Sequence, residues 1–265
     1  MTGPSRQKTL ATNLPTLMHE VFGQSPQGLA IILFAALMGG IVRGFSGFGT
    51  ALVFLPIATP HLGPFGALIG LTIMDILGPL PNLRRAWTAV NQGDLVRLVL
   101  GCALVLPVGL WLLAQVEPEV FRYAVSLVAL FMLAILALGL RYQGRVSRTM
   151  VTGIGGAAGF LGGVAGLPGP AVILFYMSRP LPVEVIRATI LLFLFAFDFL
   201  ILGFLTGMGR VTLGTIGLGL VLAIPNLAGN WLGGWLFRPD RERLYRAAAY
   251  LAIALAALSG LPLWG

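Results

Sequence analysis

Ten apolar segments follow one another along the chain, separated by short connectors that carry most of the charges. They cover residues 28–42, 50–58, 65–80, 95–114, 120–140, 150–164, 170–177, 183–205, 211–237 and 244–261. A helix needs about 20 residues to cross the hydrocarbon core of a bilayer. Most segments therefore predict spanning helices, but residues 50–58 and 170–177 are too short. Each short segment follows a glycine-rich stretch, which predicts a half-helix or a re-entrant segment packed inside the protein.

The composition narrows the class of protein further. The chain is 57% hydrophobic and 10% charged, with a mean hydropathy of +0.93, whereas soluble domains carry about 25% charged residues. Such a chain has too little polar surface to coat a soluble globule. Cys102 is the single cysteine, which excludes an intrachain disulfide. The sequence predicts an all-α polytopic membrane protein behind a polar N-terminal tail, residues 1–27, without the order of a signal peptide.

The basic residues predict the orientation of the chain in the membrane. The net charge is +8, and sixteen of the seventeen basic residues are arginine, clustered in connectors. This is the pattern of the positive-inside rule, and it argues against nucleic-acid binding. Alternating sides through ten segments puts one set on a common face: Arg84, Arg85, Arg97, Arg141, Arg145, Arg148, Arg179, Arg187, Arg238, Arg241, Arg243 and Arg246. On the other face fall Arg6, Lys8, Arg122 and Arg210. Both termini are then extracytoplasmic, and four loops are predicted to be cytoplasmic: 81–94, 141–149, 179–183 and 238–243.

The two halves of the chain resemble each other. Residues 46–53 and 165–172 share glycine placement, with Gly47 and Gly166 119 positions apart. Other pairs at nearly the same separation are Gly101 with Gly219, Pro107 with Pro225, and Tyr123 with Tyr245. Five segments per half force the second half to insert upside-down, and inverted repeats are typical of secondary transporters; chance matching of abundant residue types is the alternative. The predicted division is a tail (1–27), a first transmembrane repeat (28–140), a basic linker (141–149) and a second transmembrane repeat (150–265).

At these residues the sequence resembles the TauE/SafE family of sulfite and organosulfonate exporters. The likeness lies in the paired glycine-rich stretches 39–49 and 153–169 and in the connector Asn91-Gln92-Gly93-Asp94-Leu95, and it extends over residues 28–261. The resemblance implies a carrier of small, often sulfur-containing anions in the bacterial inner membrane. It also implies export, a direction on which the charge pattern itself is silent.

The glycine breaks are the predicted binding site for the anion. A helix that starts after a tight turn presents unpaired N–H groups and a partial positive charge, which bind anions without charged side chains. Ser46 or Thr50 is expected to cap one start, and Pro170 suits the first turn of the other. The predicted substrate-binding residues are Arg43, Ser46, Gly47, Phe48, Gly49, Thr50, Gly166, Leu167, Pro168, Gly169, Pro170 and Asn226.

Each of these assignments has a simpler alternative. The glycines would also serve if they only allowed helices to pack closely. Arg43 either pairs with the anion, or it extends to the membrane interface and anchors its helix. Asn226 either lines the site or forms an interhelical hydrogen bond.

Two acidic residues lie within predicted spans, Asp75 and Asp198, one in each half. An apolar environment favours the neutral form of a carboxyl group, and intramembrane acids are functional candidates by default. Both are therefore candidates for proton coupling. The alternative is a carboxyl group that hydrogen-bonds to a neighbouring span or pairs with an arginine.

The motifs argue against most other functions. No His, Cys or carboxylate spacing fits a metal, and no phosphate-loop lysine is present, so no cofactor and no ATP-driven pump is predicted. The predicted function is a secondary carrier that exports a small anion, sulfite or an organosulfonate, by alternating access. The alternatives are proton-coupled uptake, a channel and an intramembrane aspartyl enzyme, the last lacking the required motif. The predicted partners are the anion and the lipid bilayer, and a homo-oligomer is left open.

Overall fold

A computed structural model describes residues 25–46, 48–138, 147–176, 179–236 and 242–261. Nearly all of these residues are helical. The helices are α1 (Pro26–Ser46), α2 (Thr50–Leu77), a 3₁₀ turn (Leu80–Asn82), α3 (Leu83–Ala89), α4 (Gln92–Gln115), α5 (Pro118–Ala137), α6 (Arg148–Ala165), α7 (Gly169–Tyr176), α8 (Val183–Gly207), α9 (Leu213–Leu236) and α10 (Glu242–Gly260). Within these ranges six helices are long and apolar enough to cross a membrane: α1, α2, α4, α5, α8 and α9. The predicted all-α polytopic membrane protein is confirmed.

Helix α2 is a hairpin of two arms rather than one long rod. Its backbone leaves the helical region at Gly63, with φ 66° and ψ 172°, and Pro64 follows. In a straight helix Thr50 and Asp75 would lie about 37 Å apart, yet both line the same small cavity. The first arm, residues 50–62, is therefore about 20 Å long, which is too short to cross the membrane. Its length is that expected of the half-helix or re-entrant segment predicted for residues 50–58.

The connector at 81–94 differs from its prediction as a simple loop. It contains the short helix α3, in which Ala86 is buried while Arg84, Arg85 and Trp87 are exposed. This amphipathic pattern is the reason that a charged segment still forms a helix. The next helix, α4, has a side-chain N-cap: the Asn91 side chain accepts a hydrogen bond from the Asp94 backbone N–H (3.1 Å).

Two pairs of helices make the most extensive contacts, α1 with α9 and α4 with α6. Glycines bring their backbones together. A Cβ atom on Gly40 of α1 would lie 2.2 Å from the Asn226 carbonyl oxygen, and one on Gly101 of α4 would lie 2.0 Å from that of Thr152. Close packing through small residues is a general device of membrane helices. Gly40 and Gly101 therefore allow two helix pairs to pack closely.

The beginnings of α4, α6 and α8 lie at one end of the molecule, which we call the Arg-rich end. The Asn91 backbone N–H before α4 donates to the Thr189 hydroxyl of α8 (3.3 Å), and α6 runs parallel to α4. Six arginines of the larger predicted set lie within the described residues in or next to these segments: Arg84, Arg85, Arg97, Arg148, Arg179 and Arg187. Arg141, Arg145, Arg238 and Arg241 lie outside the described residues, as do the side chains of Arg243 and Arg246.

The opposite end holds the smaller set. Arg122, at the start of α5, donates to the Gly260 carbonyl at the end of α10 (3.2 Å). The guanidinium of Arg210 lies over the Phe65 ring, 4.5 Å from its centroid. Arg6 and Lys8 lie outside the described residues.

The first helices of the two halves run in opposite directions. Tyr250 of α10 donates to the Leu136 carbonyl (3.2 Å), so α10 begins where α5 ends, at the Arg-rich end. The Phe45 ring lies 5.9 Å from the Tyr245 ring, which places the end of α1 there as well. Thus α1 runs toward this end and α6 runs away from it. An inverted repeat requires this opposite sense, and the repeat itself stays a prediction.

Candidate functional site

Two interrupted stretches of chain begin the site. Gly49 precedes α2 with φ 107°, and Gly166 follows α6 with φ 69°. These are left-handed conformations that side chains other than glycine rarely adopt. Pro170 lies in the first turn of α7, as predicted. Thr50 does not cap α2 as predicted, because Gly49 occupies the cap position and no side chain bonds to the exposed amides.

The two breaks meet in one cavity of about 90 Å³. Residues 48–52 contribute one wall and residues 166–170 the other, so that α2 and α7 both begin at the cavity and lead away from it. The first amides of a helix have no partner within the helix and carry a partial positive charge. The cavity therefore has two helix starts in its wall. The other residues that line it are Arg43, Leu68, Leu71, Thr72, Asp75, Pro79, Met132, Ile173, Leu194, Phe195, Phe197, Asp198 and Ile201.

Arg43 lines this cavity and pairs there with an acidic side chain of α2. Its Nη1 donates to Asp75 Oδ1 at 2.7 Å, and both side chains are less than one-fifth exposed. The pair joins the last turn of α1 to the end of the second arm of α2. Taking a lone charge out of water is costly, and a partner offsets much of that cost. Asp75 therefore offsets the cost of keeping the charged Arg43 guanidinium in the wall of the cavity.

Two further polar side chains line the cavity. Asp198 of α8 is 9% exposed, and its carboxyl group lies within the electrostatic influence of Arg43 and Asp75. The Thr50 hydroxyl is buried and makes no hydrogen bond within the described ranges. Buried polar groups are normally hydrogen-bonded, so the Thr50 hydroxyl marks a place where a further polar group belongs.

Most of the predicted site residues are brought together, with three exceptions. Gly47 lies outside the described residues, and so does the side chain of Ser46, whose backbone ends α1. Asn226 is not at the cavity, since it lies in the interface of α9 with α1 and its amide donates to the Ala36 carbonyl (3.4 Å). Interhelical hydrogen bonding is thus the observed role of Asn226.

Some lining residues went unnoticed in the sequence. Thr72 lies one turn before Asp75 on the same face of its helix, and Asp198 has lining residues one turn before it and one turn after it, Leu194 and Ile201. The signal was present, because helical spacing from each intramembrane acid would have found these positions. Met132 had no such signal, since one more apolar residue in an apolar span without an acid carries no information about which neighbour it faces.

The fold and the cavity define a class: a polytopic helical membrane protein with a small, partly polar site among its helices. The model of the sulfite exporter TauE/SafE family matches residues 32–260, nearly the whole chain, and the protein belongs to this family. This is a family of membrane transporters and not of enzymes, and it implies a transporter of the sulfite and organosulfonate exporter type. No curated protein and no solved structure matches the chain.

Proposed function

We propose that the protein carries a small anion of the sulfite or organosulfonate class across the bacterial inner membrane and binds it in the cavity between the two helix breaks. The observation that carries the proposal is the meeting of both breaks with Arg43 in one small cavity. Helix starts and a guanidinium are donors that recognise oxyanions. The volume of about 90 Å³ has room for one small anion or a few water molecules.

Alternating access is the mechanism that this arrangement favours. The first arm of α2 leads from the cavity to the turn at Gly63, near the end that holds Arg210. Helix α7 leads from the cavity to Tyr176, at the Arg-rich end. Two short helices thus connect one site to opposite ends of the molecule, and broken helices around a fixed site are typical of secondary transporters.

The charge distribution supports an orientation, and the membrane potential supports a direction. With the Arg-rich end in the cytoplasm, as the positive-inside rule predicts, both termini are extracytoplasmic. The interior of a bacterial cell is negative, so an anion carried freely leaves down the membrane potential. Export is thus the proposed direction. Proton-coupled uptake through the same cavity is the alternative, and the sign of the gradient that drives flux distinguishes the two.

Purified protein in proteoliposomes is expected to move labelled sulfite across the membrane with saturation at high concentration. Saturation follows because one buried site must load and unload in each cycle. A short alkylsulfonate in excess is expected to compete, since it presents the same oxyanion. The measurement is initial flux with imposed concentration and voltage gradients, with protein-free liposomes as the control. A lack of sulfite and sulfonate flux under every gradient would refute the proposed function, and flux without saturation would indicate a channel.

For the alternative, proton-coupled uptake, we propose that Asp198 is the residue that takes up a proton when the anion binds. The other charged residues among those that line the cavity in the described ranges are Arg43 and Asp75, which already neutralise each other. An anion entering beside an ionised Asp198 would therefore place two negative charges in a buried space. Like charges held close together disfavour ionisation of the carboxyl group. Anion and proton then move together.

If transport is proton-coupled, flux of an alkylsulfonate through the wild-type protein is expected to accelerate when the compartment that holds it is made acidic. A sulfonate stays anionic over this pH range, so the transported proton belongs to the protein. Asp198→Asn is expected to abolish the acceleration, because an amide takes up no proton. Asp198→Glu is the matched control and is expected to retain it. If Asp198→Asn responds to the pH gradient as the wild type does, Asp198 is not the coupling group.

A further inference from the structure

A buried polar cluster lies at the Arg-rich end, where α7 ends against the first turn of α4. Its centre is Asp94, which is 4% exposed. The Tyr176 hydroxyl donates to Asp94 Oδ2 at 3.2 Å, and Arg179 forms an ion pair with the same oxygen. Arg97 Nη1 lies 3.5 Å from Asp94 Oδ1. Three donors thus converge on one buried carboxylate, which is the strong form of hydrogen bonding in proteins.

This cluster is connected to the cavity by a single short helix. Helix α7 has eight residues, so it is about 12 Å long. Gly169 and Pro170, at its start, line the cavity, whereas Tyr176, its last residue, is fully buried in the cluster. The other partner, Asp94, belongs to the first half of the chain and is 82 positions away from Tyr176. The cluster therefore fastens the far end of α7 to the other half of the protein.

A weaker contact of the same kind lies at the opposite end. The first arm of α2 leads from the cavity to Gly63, and Phe65 follows directly after the turn. The guanidinium of Arg210, from the connector between α8 and α9, covers the Phe65 ring at 4.5 Å. Arg210 is exposed, and exposed cation–π contacts contribute little. Each short helix that leads out of the cavity is thus held at its tip by a residue of the other half.

We infer that Asp94, Tyr176 and Arg179 form the gate at the Arg-rich end and that Arg210 with Phe65 forms its weaker counterpart at the opposite end. The inference rests on the proposed function, because a carrier that alternates access must close each side in turn. In the structure the Arg-rich gate is closed. Opening it separates Asp94 from its donors and frees α7, whose start carries one wall of the anion site.

Thiol labelling of the cavity tests the gate without any substrate. Ile173 of α7 lines the cavity, and Ile173→Cys is introduced with Cys102→Ala, which removes the one native thiol. A membrane-impermeant thiol reagent is applied to each side of sealed vesicles. The side on which the exposed position Glu184→Cys reacts identifies the Arg-rich end. Asp94→Asn is expected to raise the labelling rate from that end about ten-fold or more, since the carboxylate on which three donors converge loses its charge.

Three further variants make the result specific. Tyr176→Phe, which removes one hydroxyl and leaves the ion pair, is expected to give a smaller increase from the same end, and it serves where Asp94→Asn does not fold. Arg210→Gln is expected to raise labelling from the opposite end only. Glu184→Gln removes an exposed carboxylate from the Arg-rich end and is expected to change nothing.

Unchanged labelling in both Asp94→Asn and Tyr176→Phe would overturn the gate. Equal increases from both ends would also overturn it, because they indicate a general loosening of the fold. Since labelling requires no anion, the gate is judged independently of transport. A protein that labels as expected but moves neither sulfite nor a sulfonate refutes the proposed function and retains the gate.

Discussion

Replacing Arg43 with glutamine is expected to lower the affinity for sulfite by about 100-fold or more, because a buried charge pair with an anion typically accounts for several kcal/mol. The guanidinium is the one positively charged group among the described residues that line the cavity. Arg43→Lys is expected to bind with intermediate affinity, since an ammonium keeps the charge and loses the planar fork that matches an oxyanion. The measurement is binding of labelled sulfite to purified protein.

The controls for Arg43 separate binding from folding. Arg43→Gln alone leaves Asp75 buried without its partner, and breaking such a pair costs about 3–5 kcal/mol of stability. The double variant Arg43→Gln/Asp75→Asn removes both charges, so thermal stability is expected to recover while sulfite affinity does not. Asp75→Asn alone is expected to bind sulfite more tightly than wild type, because the competing carboxylate is gone. Arg122→Gln removes an equal charge far from the cavity, and an equal loss of affinity there would contradict the role of Arg43.

Much of the candidate site could be predicted from the sequence, because its parts interrupt the regular series of apolar segments. When an apolar segment ends at glycines and the next one has fewer than 20 residues, the second segment is too short to cross the membrane as a helix. It must then be a half-helix or a re-entrant segment packed inside the protein. This located residues 48–50 and 166–170, and the two intramembrane acids stood out for the same reason, since charges there are rare. All of these positions line the cavity.

Other features depend on contacts that hydropathy does not record. The hydropathy pattern separated residues 50–58 from residues 65–80, but it did not give the left-handed φ of 66° with which Gly63 turns the chain. The Asn226 amide donates to the carbonyl of Ala36, which is 190 positions away in the sequence. The sequence of its helix did not indicate which face contacts α1, because several faces have similar polarity. Asp94 and Arg179 each resembled an ordinary connector charge, so nothing in the sequence indicated that they would meet.

The glycines show most plainly why local pattern was insufficient. Gly49 and Gly166 are required by a left-handed backbone, whereas Gly40 and Gly155 are required because another helix lies against them. The sequence does not distinguish these two requirements, because a glycine satisfies both. Only the positions of the neighbouring backbones distinguish a turn at the site from a helix contact beside it.

Gly155→Ala is expected to lower the apparent melting midpoint of the purified protein by about 10 °C, as estimated from an overpacking cost of a few kcal/mol. A Cβ atom on Gly155 of α6 would lie 2.2 Å from the Leu98 carbonyl oxygen and 2.8 Å from two further backbone atoms of Leu98. Backbone atoms give way only if α4 and α6 separate, so the whole interface is disturbed. Thermal unfolding followed by intrinsic fluorescence or light scattering measures the shift.

Gly153→Ala is the matched control, two residues away on the same helix. A Cβ atom there would have open space within 4 Å, and Gly153 is exposed. Alanine favours a helix over glycine by about 0.5–1 kcal/mol, so this variant is expected to melt at the wild-type temperature or a few degrees above it. Equal melting of the two variants would show that close approach of α4 and α6 is not what holds this pair together. A loss of stability confined to Gly155→Ala would show that the close contact at Gly155 stabilises the pair of α4 and α6. The same contact then also positions the candidate site, because Gly166, at the end of α6, lines the cavity.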